Sequence, residues 1–223
     1  MSTLYANVSD INNRMISVYN NMFLAVVNSL VVSLFVSSSP ELMKFLFSGM
    51  MKWIVLFAPL VMVLAMTWIM QKATYGEARG MLHIFAALMG LSMSSIFVIY
   101  TTWSIVSAFM GAAVLFGTMS LWGYFTKKSL ESWGSFLLVG LIAVIIASVV
   151  NVFLGNSTLA MVVSACAIIV FLGLTAYDTQ RIRESVSVMG PDSKAEILGA
   201  LSLYMNFINI FMSLLQLFGN RDD

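Results

Sequence analysis

Residues 84–126 read IFAALMGLSMSSIFVIYTTWSIVSAFMGAAVLFGTMSLWGYFT, 43 positions without an Asp, Glu, Lys or Arg. One membrane-spanning helix takes about 20 apolar residues, so this tract holds two helices and a tight turn. The turn falls at Tyr100-Thr101-Thr102-Trp103, where polar, turn-favouring residues interrupt the apolar run. Ser132–Tyr177, 46 residues long, divides in the same way at Gly155-Asn156-Ser157. Three shorter charge-free tracts, Met15–Pro40, Trp53–Gln71 and Ile197–Asn220, hold one helix each. The runs are continuous and lack the period-two alternation of barrel strands, so the segments are helices.

The whole composition agrees with that reading. Of 223 residues, 60% are hydrophobic and 9% charged, too few charges to keep a soluble surface wet. The expected fold is an all-α membrane protein, a bundle of seven transmembrane helices at about 20–37, 53–71, 80–99, 103–125, 134–154, 159–179 and 199–218. A short cytoplasmic segment, 1–19, precedes a single transmembrane domain, 20–218, and a tail, 219–223, follows it. The connections are too short for a soluble domain. No basic region feeds into an apolar run ending at a small-residue cleavage site, so the first helix itself is expected to target the chain.

With the N-terminus inside, Arg14, Lys72, Arg79, Lys127, Lys128, Arg181, Arg183 and Lys194 share one side, against Lys44, Lys52 and Arg221 on the other. The positive-inside rule then puts the N-terminus in the cytoplasm and the C-terminus opposite. Trp53, Trp68, Trp103 and Trp133 fall near helix ends, as an interfacial belt requires. A net charge of +1 argues against a nucleic-acid partner. The lone Cys166 excludes a disulfide framework or cysteine metal site, and the single His83, at a membrane boundary, cannot make a metal site alone. Scattered methionines read as packing and lipid-facing side chains.

The seventh segment is the most informative. Ser202, Asn206, Asn209, Ser213, Gln216 and Asn220 recur at spacings of four, three, four, three and four, which is one helical stripe. Apolar residues fill the other faces, so the stripe must face the protein interior or a water-filled cavity, and the seventh helix should be central. Interhelical hydrogen bonding explains such a stripe as well as an ion path does. A path needs a charge, and Asp178, expected at the C-terminal end of the sixth segment, supplies one. There it would oppose the helix macrodipole unless paired. Arg181, on the same helical face, could pair with it locally. Asn206 is expected at the same depth, and a carboxylate facing a carboxamide could act as a gate. Gly90, Ser94, Ala86, Ala87, Gly111 and Gly117 read as small-residue packing positions, and Asn151 as a helix-to-helix bond.

Several stretches together resemble the Bax inhibitor-1 family, the transmembrane Bax inhibitor motif proteins. They are Phe57-Ala58-Pro59-Leu60, Ala86-Ala87-Leu88-Met89-Gly90-Leu91-Ser92, Ser94-Ser95-Ile96-Phe97, Tyr124-Phe125-Thr126-Lys127-Lys128, Gly134-Ser135-Phe136-Leu137, Thr175-Ala176-Tyr177-Asp178-Thr179-Gln180 and Leu203-Tyr204-Met205-Asn206-Phe207-Ile208-Asn209-Ile210-Phe211. The resemblance covers the chain from the second segment onward. It implies six helices around a central seventh, the pH-sensitive calcium leak of bacterial members, and, for some members, a role in cell-death control or in regulating a membrane protease. It also implies a proton-sharing pair of aspartates that gates the pore. Asp178 matches the first aspartate, whereas Asn206 stands where the second belongs, so the acid here titrates alone instead of as a coupled pair. The family's second-helix arginine, which latches the first aspartate, is replaced in Trp68-Ile69-Met70-Gln71-Lys72, leaving Lys72 or Arg79 as candidate latch partners beside Arg181.

The expected function is therefore an inner-membrane calcium leak, pH-modulated, with Asp178 and Asn206 at the gate and Ser202, Asn209, Ser213, Gln216 and Asn220 lining the path. Asp178 with neighbouring amide and hydroxyl oxygens would form only a weak, partly hydrated calcium site, and no cofactor is expected. The alternative is a non-transporting regulatory protein that binds a membrane protease or a stress or cell-death partner. An enzyme is not expected: an intramembrane aspartyl protease needs two membrane aspartates, and no Gly-x-Ser-x-Gly context accompanies the one histidine.

Overall fold

The computed structural model describes residues 8–70, 72–190 and 193–222. Among them the ordered elements are helices: α1 (Val8–Ser37), α2 (Pro40–Leu46), α3 (Met51–Ile69), α4 (Tyr75–Met93), α5 (Ile96–Ile99), α6 (Thr102–Phe125), α7 (Glu131–Leu154), α8 (Ser157–Val188) and α9 (Lys194–Phe218). Six stretches are long and apolar enough to cross a membrane, with α4 and α5 acting as one, and α2 with α3 makes a seventh if that pair is one span. The pair is bent by 77°. The chain is a multi-pass membrane protein.

Local chemistry sets the helix ends. Ser39 caps α2 by accepting from the Leu42 N–H, and Pro40 follows at the first helical position, where a missing N–H costs nothing. α4 opens on a capping box in which Thr74 Oγ1 accepts from the Glu77 N–H and Glu77 Oε2 accepts from the Thr74 N–H at 2.7 Å. Thr101 caps α6 through the Ser104 N–H. α7 stops at Gly155, whose φ of 60° is left-handed. The side chain of Asn151 accepts from the Asn156 N–H and that of Asn156 from the Leu159 N–H, so Asn151 ties off the α7–α8 turn and does not bridge to another helix.

Most helices run past the expected segments. α1 starts at Val8 and not near 20, so most of the expected N-terminal segment 1–19 is helix; residues 1–7 lie outside the described residues, as do Gln71 and Asp223 at the ends of an expected helix and of the tail. α8 continues to Val188, nine residues beyond the expected end at 179, and α9 begins five residues early, at Lys194. The reason is the same in each case: the charges used to delimit the tracts sit on helical turns that leave the hydrocarbon. A 32-residue helix is about 48 Å long against a hydrocarbon core of about 30 Å. Trp53, Trp68, Trp103 and Trp133 are all exposed.

The chain packs as two compact units. The first combines Met1–Tyr100 with Val186–Tyr204 and Asp222–Asp223, the second Thr101–Ser185 with Met205–Arg221. α8 and α9 contribute to both. In the first unit α1 lies on α4: Ser29 Oγ is 2.9 Å from the Ala86 carbonyl oxygen and 2.6 Å from the Tyr204 hydroxyl, whose ring meets Phe85 edge-on. A Cβ at Gly90 would lie 2.5 Å from the Ser29 carbonyl oxygen, so only glycine lets these backbones approach. In the second unit Gly123 of α6 lies on the Ala176 backbone of α8, Leu137 of α7 covers Gly173, and Phe109 and Phe116 of α6 meet Phe207 of α9 edge-on. Gly111 faces Leu214, whereas Gly117 has nothing within 4 Å and is not a packing position. The share of each span that is buried separates the helices sharply, 61% for α9 against 6% for α7.

Gly90→Val is expected to cost about 1–3 kcal/mol by overpacking, seen as a lowered Tm of the detergent-solubilised chain. Gly117→Ala, with open space around it, should leave Tm unchanged or raise it.

Candidate functional site

Asp178 and Asn206 meet within the second unit. The Asn206 side chain, on α9, donates from Nδ2 to Asp178 Oδ2 on α8 at 2.7 Å. Asn206 is only 4% exposed and Asp178 is half-buried. The continuation of α8 corrects one expectation: Asp178 is not at a helix C-terminus, because ten more helical residues follow, so the macrodipole penalty does not arise there. Asp178 lies 21 residues from Ser157, about 32 Å along the axis, a distance comparable to a hydrocarbon core of about 30 Å.

The chemistry of the pair follows from its donors. A carboxamide N–H satisfies an ionised carboxylate without needing a proton in between, whereas two carboxylates at this separation would have to share one. The bond also satisfies the buried amide. Around it, Thr175 and Thr179 turn their hydroxyls back onto the Phe171 and Thr175 carbonyls of α8, and Thr179 Oγ1 is 3.1 Å from Ser120 Oγ on α6. Gln180 reaches the α6–α7 loop, accepting from the Leu130 N–H at 2.7 Å and donating to the Lys128 carbonyl at 3.0 Å.

The other residues singled out from the sequence have different surroundings. Asn209 is half-buried and donates to its own helix at the Met205 carbonyl. Ser213 is buried, and Gln216, though exposed, accepts from Ser164 of α8 at 2.8 Å. The Asn220 side chain is exposed, while its backbone N–H donates to Ser104 Oγ and its carbonyl accepts from the Thr101 N–H. Ser202 is half-buried and belongs to the first unit. Arg181 is exposed, and so are Lys72 and Arg79 in the first unit. Among the described residues no group of three or more His, Cys, Asp or Glu side chains is assembled that could hold a metal ion.

A cluster that the sequence reading missed lies in the first unit. Arg14 Nε donates to Glu196 Oε1 at 2.9 Å, with side-chain exposures of 8% and 3%. Arg14 Nη2 donates to Ser193 Oγ at 2.7 Å, and Nη1 donates to the carbonyls of Val186 and Met189. The cation thus closes the C-terminal end of α8 while the carboxylate lies in the first turn of α9, each at the favourable pole of a helix dipole. Its signal in the sequence is the face Arg14, Met15, Val18, Asn21 and Met22, which carries an arginine on the buried side of a helix.

The family model described as "Inhibitor of apoptosis-promoting Bax1" matches residues 11–223. The chain is 38% identical over 213 residues to the inner membrane protein YbhL of Escherichia coli, covering 93% of this chain and 91% of that protein. It is 38% identical over 212 residues to the uncharacterized protein RP147 of Rickettsia prowazekii, covering 94% and 90%. An uncharacterized protein of Borreliella burgdorferi is 33% identical over 215 residues, covering 94% and 93%.

Removing one member of a buried ion pair strands the other, at about 3–5 kcal/mol. Arg14→Ala should therefore lower Tm strongly in detergent. Arg14→Lys, which keeps the charge but loses the planar fork, should fall between the two. Asp178→Ala leaves the Asn206 amide unsatisfied at about 1–3 kcal/mol, and Asp178→Asn, which keeps an acceptor, should recover most of the lost Tm.

Proposed function

We propose a gated cation leak as the function of this chain, which belongs to the Bax inhibitor-1 family of multi-pass membrane proteins. In this reading α2 and α3 together form one broken span, bringing the spans to seven, and α9 is the central helix. The protein lies in the inner membrane, like the relative so named, with its N-terminus in the cytoplasm. Calcium is the permeant ion. No cofactor takes part.

The observation that carries the reading is the 2.7 Å bond from Asn206 Nδ2 to Asp178 Oδ2. It joins two long helices through one carboxylate at the hydrocarbon boundary, where an uncompensated charge is costly and a charged group marks an ion pathway by default. Closed, the carboxylate is held by an amide N–H. A calcium ion competes for the same oxygens with a full double charge and several vacant ligand positions, so arrival of the ion itself weakens the closed contact. pH acts through Asp178 as a single group, because the amide partner binds no proton. Asn209, Ser213, Gln216 and Asn220 then supply the polar side of the path beyond the gate.

A non-transporting regulatory protein is the second reading, and one observation favours it. Asn209 and Gln216 spend hydrogen-bonding groups on protein partners, Asn209 on its own backbone and Gln216 on Ser164, as structural polar groups do. In that case the partner is a membrane protease or a stress or cell-death protein.

Calcium flux into proteoliposomes separates the two. Weakening a closed-state bond worth about 1.4 kcal/mol raises the open population about tenfold, so Asp178→Ala should raise leak by that order and flatten its pH response. Asn206→Asp places a second carboxylate beside the first and should make flux depend more steeply on pH than in the native chain. The same variant should lose thermal stability as pH rises, since the proton its folded state retains is then removed. Flux in the native chain no greater than in empty vesicles would leave the regulatory reading.

A further inference from the structure

The loop between α6 and α7, residues 126–130, is held to α8 by side chains that have no part in the gate. Gln180 makes two bonds to its backbone, at Lys128 and Leu130. Arg183 donates to the Tyr124 carbonyl at 3.2 Å and lies over the Tyr124 ring, 5.0 Å from its centre. These bonds bring Lys127 and Lys128 beside the turn of α8 that carries Arg181 and Arg183, all four exposed. The exposed carboxylates nearest in sequence are Glu131 and Glu184, two against four cations.

The depth of this patch is set by helix length. Gln180 is 23 residues along α8 from Ser157, about 35 Å, just beyond a hydrocarbon core of about 30 Å. Trp122 and Trp133 flank the loop, their rings 6.1 Å apart and both exposed, as aromatic side chains are at the headgroup level. An unclasped loop would let two lysines reach into water and pay rotamer entropy for any shared ligand; the Gln180 clasp places their backbone in advance.

The geometry points to a phosphate-binding site for an anionic phospholipid headgroup, formed by Lys127, Lys128 and Arg181 with Trp122 and Trp133 against the upper acyl chain. The phosphodiester supplies the negative charge and the acyl chains supply a membrane-bound, locally concentrated ligand at that depth. The site is independent of whether the chain conducts ions. Its role is to anchor the C-terminal half of α8 to lipid.

The test is lipid retention by the full chain, reconstituted in nanodiscs of mixed phosphatidylcholine and phosphatidylglycerol and read by native mass spectrometry. Each cation near the surface contributes about a fivefold preference for the anionic lipid. The triple variant Lys127→Gln/Lys128→Gln/Arg181→Gln should lower the retained phosphatidylglycerol-to-phosphatidylcholine ratio on the order of 100-fold. The charge-preserving Lys127→Arg/Lys128→Arg/Arg181→Lys should keep it, and so should Lys44→Gln/Lys52→Gln, which removes cations elsewhere. Equal ratios in the native chain and the triple variant, or an equal loss in the Lys44/Lys52 variant, would overturn the site. Displacement of the bound lipid by inorganic phosphate would overturn the lipid assignment in favour of a soluble anion.

Discussion

A bilayer interior offers no water to hydrogen-bond, so every polar group carried into it must find its partner inside the protein. The packing of this chain follows from that requirement. Backbone groups are satisfied within helices, and the hydroxyls of Ser29, Ser33, Thr175 and Thr179 turn back onto carbonyls four residues earlier. Ser29 also reaches Ala86 and Tyr204, which brings α1 and α4 so close that position 90 admits only glycine. Where α7 and α8 turn at Gly155, two asparagine side chains take up the backbone N–H groups that the turn releases.

Charge is subject to the same rule at higher cost, and two buried arrangements among the described residues meet it in different ways. Arg14 and Glu196 neutralise one another, and Arg14 also takes up two carbonyls at the end of α8. Such a pair is weak as net stabilisation, since desolvation offsets much of the attraction, but it is strongly specific: either partner alone is a buried unpaired charge. Asp178 also accepts a hydrogen bond from a buried carboxamide, that of Asn206. A dipole holds a carboxylate less firmly than a cation does.

Under the proposed gated leak, the choice of partner would set what the contact responds to. A pair of carboxylates is closed by a proton and therefore reads pH directly. A carboxylate with a carboxamide is closed by a fixed N–H and reads any cation able to compete for the same oxygens.

Much of the architecture was legible in the residues. The charge-free tracts gave the helices and two turns, because hydrophobic length is set by the bilayer and does not depend on neighbours. The stripe of Ser202, Asn206, Asn209 and Ser213 placed polar atoms on one face of α9, since helical spacing is a property of the backbone alone. Helix lengths were not legible: Arg14, Arg181, Arg183, Glu184 and Glu196 read as ends, yet helices continue through them once past the hydrocarbon. The sequence by itself determined that the chain enters the membrane repeatedly and which residues are polar there. Only the tertiary structure decided which of them meet. Asp178 with Asn206, and Arg14 with Glu196, are 28 and 182 residues apart in the chain. Their pairing depends on how whole helices pack, information that no local spacing contains.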